Sequence, residues 1–260
     1  MKKQKKRYKY IYGPVNSWRL GSSLGIDILS QRKKICTFDC LYCQVGKAYP
    51  DSLRRRIFIP TKEIIAELKS LPNLEIDYIT FSGRGEPTLA KNLGSIIRAV
   101  KRVRKERIAV LTNATLLGRR DIQKELAAVD LVEVKLDASS DIILSRVNKP
   151  VASVSFTKLI RGIKLFRRQY KGDLILQVML LKNNIKYAKE IADIAKSIKP
   201  DHVHINTPLR PSGAKYVSKE DIAKIRPYFK GLSVTSVYNK RKNRKIESIS
   251  RRDTLLRRGK

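Results

Sequence analysis

The chain predicts an α/β fold, a partial (β/α)6 barrel of parallel strands with its helices outside. Three observations carry this. Short apolar runs rich in β-branched residues recur along most of the 260 residues, and they are long enough for buried parallel strands. Between them lie longer segments with apolar residues three and four apart, the mark of amphipathic helices. The two kinds alternate about six times, which argues for a parallel sheet covered by helices.

In chain order, the first strand is 23–29 (SLGIDIL), followed by a loop that holds every cysteine. A helix spans 61–71, with Ile64, Ile65 and Leu68 on one side. Strand 77–82 (DYITFS) leads to a helix over 93–103, and strand 107–112 (RIAVLT) to a helix over 121–129. Strand 131–136 (LVEVKL) precedes a long helix near 155–170. Strand 174–181 (LILQVMLL), a helix near 187–198 and strand 202–206 (HVHIN) complete the series. A strand-like stretch at 233–238 (SVTSVY) then runs into a basic tail expected to be mobile. The domain plan is a basic N-terminal extension at 1–22, the partial barrel at 23–230 and a basic C-terminal tail at 231–260.

Lys and Arg number 57 against 23 Asp and Glu, a formal net charge of +34. Basic residues crowd the start (Lys2, Lys3, Lys5, Lys6, Arg7, Lys9) and a late tract (Lys240, Arg241, Lys242, Arg244, Lys245). They also line helical stretches, as at Lys101, Arg102, Arg104, Lys105 and Arg107. Such an excess concentrates polyanions at the surface. Transfer RNA or another RNA is the leading candidate partner, an anionic membrane surface the second, and a merely solvated basic face the plain alternative. No apolar run reaches the length of a membrane span, and 8–14 is too short and polar for a signal-peptide core. Three cysteines within eight positions make no disulfide framework. The expected location is the cytoplasm.

The segment Cys36-Thr37-Phe38-Asp39-Cys40-Leu41-Tyr42-Cys43 lies in the loop after the first strand, where parallel α/β barrels carry their reactive groups. A structural zinc takes four ligands, and the chain's two histidines, His202 and His204, are far away in sequence. An iron–sulfur cubane normally takes four cysteines, so three leave one iron open to a substrate or cofactor. Merely buried apolar cysteines, and a zinc site completed by another chain, stay open as alternatives.

The Cys-x3-Cys-x2-Cys spacing, with Tyr42 before the last cysteine, resembles the signature of radical S-adenosylmethionine (SAM) enzymes. The resemblance implies a TIM-like partial barrel and a [4Fe-4S] cluster on Cys36, Cys40 and Cys43. In that class SAM chelates the open iron, and one electron cleaves it to methionine and a 5'-deoxyadenosyl radical that abstracts hydrogen from the substrate. An electron donor such as ferredoxin or flavodoxin is implied as well. Tyr42 is placed near the adenine.

Phe81-Ser82-Gly83-Arg84-Gly85-Glu86-Pro87-Thr88 ends the second strand. Its glycines allow a backbone to approach a ligand closely. Its position matches the motif that holds the SAM amino group in the class, which makes Gly83, Gly85 and Glu86 cofactor candidates. A glycine- and proline-rich turn with a solvated Glu is the plain alternative. At later strand ends, similarity to the class implies Asn113, Lys135, Asp137 and Gln177 as candidates for contacts to the SAM ribose or carboxylate. Gln177 shares a strand side with Met179, and His204 with Asn206, by period-two alternation. Met179 and His204 also read as interior residues.

Residues 12–21 (YGPVNSWRLG) with 23–25 (SLG), and 206–211 (NTPLRP), resemble the wyosine-synthase-like group of radical SAM enzymes. Wyosine synthase carries a second cluster on further cysteines, and this chain has none. That enzyme's particular reaction therefore does not carry over; charge and the family flavour together favour an enzyme acting on RNA, with Arg19, Arg84 and Arg210 as candidate substrate or phosphate contacts. No catalytic side chain is singled out. A peptide substrate, and a non-catalytic metal-stabilised RNA-binding module, are the alternatives.

Overall fold

The computed structural model describes residues 7–50, 53–239 and 246–258. The clusters Lys2 to Lys6 and Lys240 to Lys245 lie outside the described residues.

Eight strands form one sheet that curls into an open half-barrel: β1 (Ile11–Ser17), β2 (Gly21–Ile26), β5 (Tyr78–Phe81), β6 (Arg107–Thr112), β7 (Leu131–Lys135), β8 (Asp173–Met179), β9 (His202–Asn206) and β10 (Val234–Ser236), side by side in that order. All neighbouring pairs are parallel except β1 with β2. Two short strands, β3 (Lys34–Cys36) and β4 (Ala48–Pro50), make a separate parallel ribbon that frames the cysteine loop. The helices α1 (Thr61–Lys69), α2 (Leu93–Val103), α3 (Arg120–Leu126), α4 (Asp141–Val147), α5 (Phe156–Gln169), α6 (Ala188–Ile198) and α7 (Lys219–Ile225) fill the crossovers, and α8 (Arg251–Arg258) follows β10.

Alternation along the strands sorts the two faces of the sheet. Ile79, Phe81, Ile108, Val110, Val132, Val134, Leu174, Leu176, Val203 and Ile205 join the main core with the helices. In α2, Leu93, Ile96, Ile97 and Val100 make the buried stripe while Lys101 stays exposed. The opposite face carries a small apolar plug of Leu20, Ala109, Leu131 and Ile175. Beyond the plug, the same strand positions become polar at Glu133, Lys135, Gln177, His204 and Asn206. This change of chemistry along one face creates room for a site.

The six expected parallel strands are present, and the departures have local causes. Strand β8 stops at Met179 rather than 181, because the Asn184 side chain ties the chain into a turn. Its amide donates to Met179 O at 2.8 Å, and its oxygen accepts from Leu181 N at 2.7 Å. Helices α4 and α7 have no counterpart in the sequence reading. Ser140 and Ser218 cap them by accepting from Ile143 N and Asp221 N, each satisfying one unpaired helical donor.

The domain plan also needs correction at both ends. Residues 11–17 are not an extension: β1 pairs with β2 from Ile11↔Ile26 to Ser17↔Gly21. Nor is the described C-terminal part a free tail, since β10 extends the sheet and α8 packs back against β1. Gly13 N donates to Thr254 Oγ1 at 3.0 Å, and Ile249 N donates to Gly13 O at 2.6 Å. Chain ends more than 230 residues apart meet here, a pairing that no local pattern encodes. Among the described residues no helix is long and apolar enough to cross a membrane.

Candidate active site

The three cysteines sit on a loop sewn to the barrel along two sides. On one side Ile35 N donates to Arg84 O at 3.0 Å and Glu86 N to Ile35 O at 2.9 Å. The glycine segment after β5 thus acts as a shelf for the strand bearing Cys36. Gly83 and Gly85 have φ of 152° and 156°, a region that only glycine adopts readily. A Cβ on Gly85 would lie 1.7 Å from Ile35 O. On the other side, Asp39 N donates to Asn148 O and Leu41 N to Val147 O, at 2.9 and 3.0 Å. This pins the loop to the end of α4.

Side chains then reach the sulfurs. Asn113 Nδ2 lies 3.7 Å from Cys36 Sγ and donates to Thr37 Oγ1 at 2.8 Å. Asn148 Nδ2 lies 3.4 Å from Cys40 Sγ and donates to Asp137 Oδ2 at 2.8 Å. Lys34 is 4% exposed, and its ammonium has no hydrogen-bond partner, with Asp39 Oδ1 at 3.6 Å. Burial works against its charge, yet the sulfurs of Cys43, Cys36 and Cys40 raise its pKa above the ordinary lysine value. Burial also pushes the Cys36 thiol up to about 12, although Lys34 opposes it.

Three sulfurs ringed by a buried ammonium and two amide donors fit an anionic, thiolate-held cluster. Among the described residues, no group of three or more His, Cys, Asp or Glu is placed to hold a metal ion.

The cofactor candidates fall into two connected sets. Tyr42 donates to Asp137 Oδ2, and its ring lies 4.8 Å from Lys135 Nζ. Lys135 donates to Gln177 Oε1 at 2.8 Å and pairs with Asp137 Oδ1 at 3.4 Å. Burial and the nearby Asp137 carboxylate hold the Tyr42 hydroxyl well above its ordinary pKa, so it stays protonated as a donor. In the second set, Glu86 is 2% exposed. Its oxygens accept from Thr88 N, Thr88 Oγ1, Thr112 Oγ1 and Asn113 N at 2.7–3.1 Å. The structure thus turns the Glu86 carboxylate inward, where it locks the ends of β5 and β6 together.

A cleft of about 830 Å3 opens over these strand ends, within the size range of ligand sites. Tyr42, Cys43, Gly83 and Gln177 line it, whereas Gly85, Glu86, Asn113, Lys135 and Asp137 are absent from its lining. Of the arginines named from the sequence, Arg19 and Arg210 line it too. Arg84 instead donates to Arg32 O at 2.7 Å.

Two residues of the site escaped the sequence reading. Asn148 had no visible signal. Glu133 had one, a lone acid inside the apolar run LVEVK. It is 2% exposed, pairs with Arg19 and has His204 Nδ1 at 3.7 Å. Burial alone would raise its pKa, but the Arg19 guanidinium and His204 overcome this and hold it at about 2. A carboxylate depressed in the folded state stabilises the fold fully above its ordinary value near 4.5 and loses that contribution as pH falls through about 2. The shift corresponds to about 3 kcal/mol. Glu133→Gln should therefore cost about this much at pH 7, with the gap to the parent closing between pH 5 and pH 2. Urea denaturation across that range measures it.

The sequence model of the Radical SAM superfamily matches residues 32–206, a span that begins just before Cys36 and ends with β9. The chain belongs to the radical SAM superfamily. It is accordingly an enzyme, with SAM and an iron–sulfur cluster as the cofactors its family implies. Over 202 residues, 77% of this radical SAM chain, it is 42% identical to a UPF0026 protein of Synechocystis sp., covering 76% of that protein. A Saccharolobus islandicus protein named "Probable GTP 3',8-cyclase" is 25% identical over 211 residues, 80% of this chain and 65% of that one. Among solved structures, Streptococcus suis SuiB bound to S-adenosylmethionine superposes with a TM-score of 0.60. That match has 16% identity and covers 78% of this chain and 48% of SuiB. It supports the curled partial barrel as the radical SAM fold.

Proposed function

We propose that this radical SAM enzyme cleaves SAM reductively at a [4Fe-4S] cluster on Cys36, Cys40 and Cys43, and uses the product to abstract hydrogen from a nucleotide unit of RNA. The observation that carries the chemistry is the cysteine loop itself. The chain's three cysteines are held by backbone bonds to Arg84, Glu86, Val147 and Asn148, at the mouth of a cleft that Cys43 and Tyr42 line. When bound, such a cluster supplies an open iron for SAM and the electron that breaks its sulfonium bond.

The residues around it would do the positioning, the main contribution of protein to cofactor chemistry. Asn113 and Asn148 donate towards two of the sulfurs, Lys34 offsets negative charge, and Tyr42 is fixed by Asp137. Gln177, held by Lys135, presents a polar group to the cleft.

The net charge of +34 supports RNA as the substrate class. The cyclase relative, whose name gives it GTP as substrate, supports a free nucleotide as the second reading. Anaerobically reconstituted protein given a strong one-electron reductant such as dithionite should yield 5'-deoxyadenosine from SAM, and bulk transfer RNA should raise the yield several-fold. Stimulation by free nucleotides alone would favour the second reading. Absence of 5'-deoxyadenosine under every condition would end both.

A further inference from the structure

The lining of the cleft has an unusual charge balance. Among the described residues it includes Arg19, Arg210 and Arg257 but no Asp or Glu. Two of the three cations are compensated from behind. Arg19 pairs with Glu133, and Arg257 lies 3.7 Å from Asp27 Oδ2 while donating to Lys9 O and Ser30 Oγ.

Arg210 has no such partner. Among the described residues no carboxylate pairs with it, and its guanidinium donates to Gln44 Oε1 at 3.5 Å. It follows β9 in the segment Thr207-Pro208-Leu209-Arg210-Pro211, where Thr207 Oγ1 accepts from Val217 N at 2.8 Å and fixes the loop. Burial and the nearby Arg19 charge both press its pKa below the ordinary arginine value, yet a guanidinium stays charged in proteins. A partly buried cation beside a second cation whose own counter-charge, Glu133, is already engaged is electrostatically incomplete.

What completes it is an anion with several acceptor oxygens. A planar guanidinium matches a phosphoryl group through paired charge-assisted hydrogen bonds. Gln44, next to Cys43 in the chain, places Arg210 at the cysteine end of the cleft. Trp18, which also lines the cleft, stands T-shaped against His204 with centroids 5.1 Å apart and has the Arg19 guanidinium 5.9 Å from its ring centroid, an aromatic group beside the cations. Asn16, Asn206 and Asn239 add polar groups to the same wall.

We propose that Arg210, seconded by Arg19, receives a phosphoryl group of the substrate, so that the cleft selects phosphorylated nucleotide units over bare nucleosides. This rests on the cleft being the reaction cleft of the preceding section. The same group could arrive on a free nucleotide or within an RNA chain, and the two sources separate experimentally.

The test uses the reconstituted full chain and calorimetric titration with 5'-GMP and with guanosine. The parent should prefer GMP on the order of ten- to a hundredfold, the range of a charged hydrogen-bond pair. Arg210→Gln should abolish that preference, and Arg210→Lys should keep part of it. In a parallel salt titration with bulk transfer RNA, an RNA source predicts weaker binding by Arg210→Gln and a salt slope lower by about one. A free-nucleotide source predicts loss for GMP alone. Equal binding of GMP and guanosine by the parent would overturn the proposal, and this needs no variant to fold. An intact GMP preference in Arg210→Gln, accompanied by weakened SAM binding, would overturn it too and assign Arg210 to the SAM carboxylate. Parent protein that makes 5'-deoxyadenosine without any phosphate preference defeats this inference alone, whereas failure to make it defeats the reading beneath.

Discussion

Cys40→Ala, purified and reconstituted anaerobically, is expected to hold no stable cubane and to form no 5'-deoxyadenosine above background. Iron analysis should fall from roughly four atoms per chain to near zero, with loss of the broad visible absorbance of the cluster. The reason lies in the donor count. The chain has three cysteines, so no fourth thiolate can move in. The neighbouring Asn148 amide, 3.4 Å from that sulfur, is a donor and not a replacement ligand. The fold should survive, because Cys40 is half-buried and the loop is held mainly through backbone atoms of Ile35, Asp39 and Leu41. Unchanged far-ultraviolet dichroism with lost iron would confirm that the cysteine serves the cluster. Retention of a full complement of iron in Cys40→Ala would contradict the assignment, and retention of one zinc atom would point to another kind of site.

The second large effect is expected at Gly85. Alanine there must place a Cβ 1.7 Å from Ile35 O and 2.7 Å from Leu29 Cδ1, on a backbone with φ of 156°. The first contact is with backbone, so no rotamer change relieves it. Strain in this region costs of order 1–3 kcal/mol before any overlap. The total should therefore be about 3 kcal/mol or more, a fall in Tm of about 10 °C for a chain of this size. The displaced atom belongs to the strand that carries Cys36, so cluster loading should fall with stability. Differential scanning calorimetry and iron analysis on one preparation measure both. A Gly85→Ala variant with unaltered Tm and full iron would show that the shelf under the cysteine loop is not rigid.

Glu86 illustrates how a residue's place in the chain can be legible while its surroundings are not. Its placement after β5 was legible, because a Gly-rich turn follows a recognisable strand. Its surroundings were not. The four donors that engage its carboxylate come from Thr88, Thr112 and Asn113, and two of these residues belong to another β/α unit. Glu133 and Asn148 teach the same lesson. One is an acid whose partner Arg19 is 114 positions away, the other an amide that reaches Cys40 across 108.

The sequence by itself determined the six parallel strands, most of the outer helices and the cysteine loop, because those depend on local periodicity and on the spacing of a few chemically distinctive residues. The tertiary structure alone decided which candidates face the cleft and which support it from behind. It also decided that β1 and α8 close on each other, and that Arg210 stands without a counter-charge among the described residues. The physical reason is that hydrogen bonding and ion pairing depend on distance in space, and in a parallel barrel each strand's neighbours are supplied by segments tens of residues away.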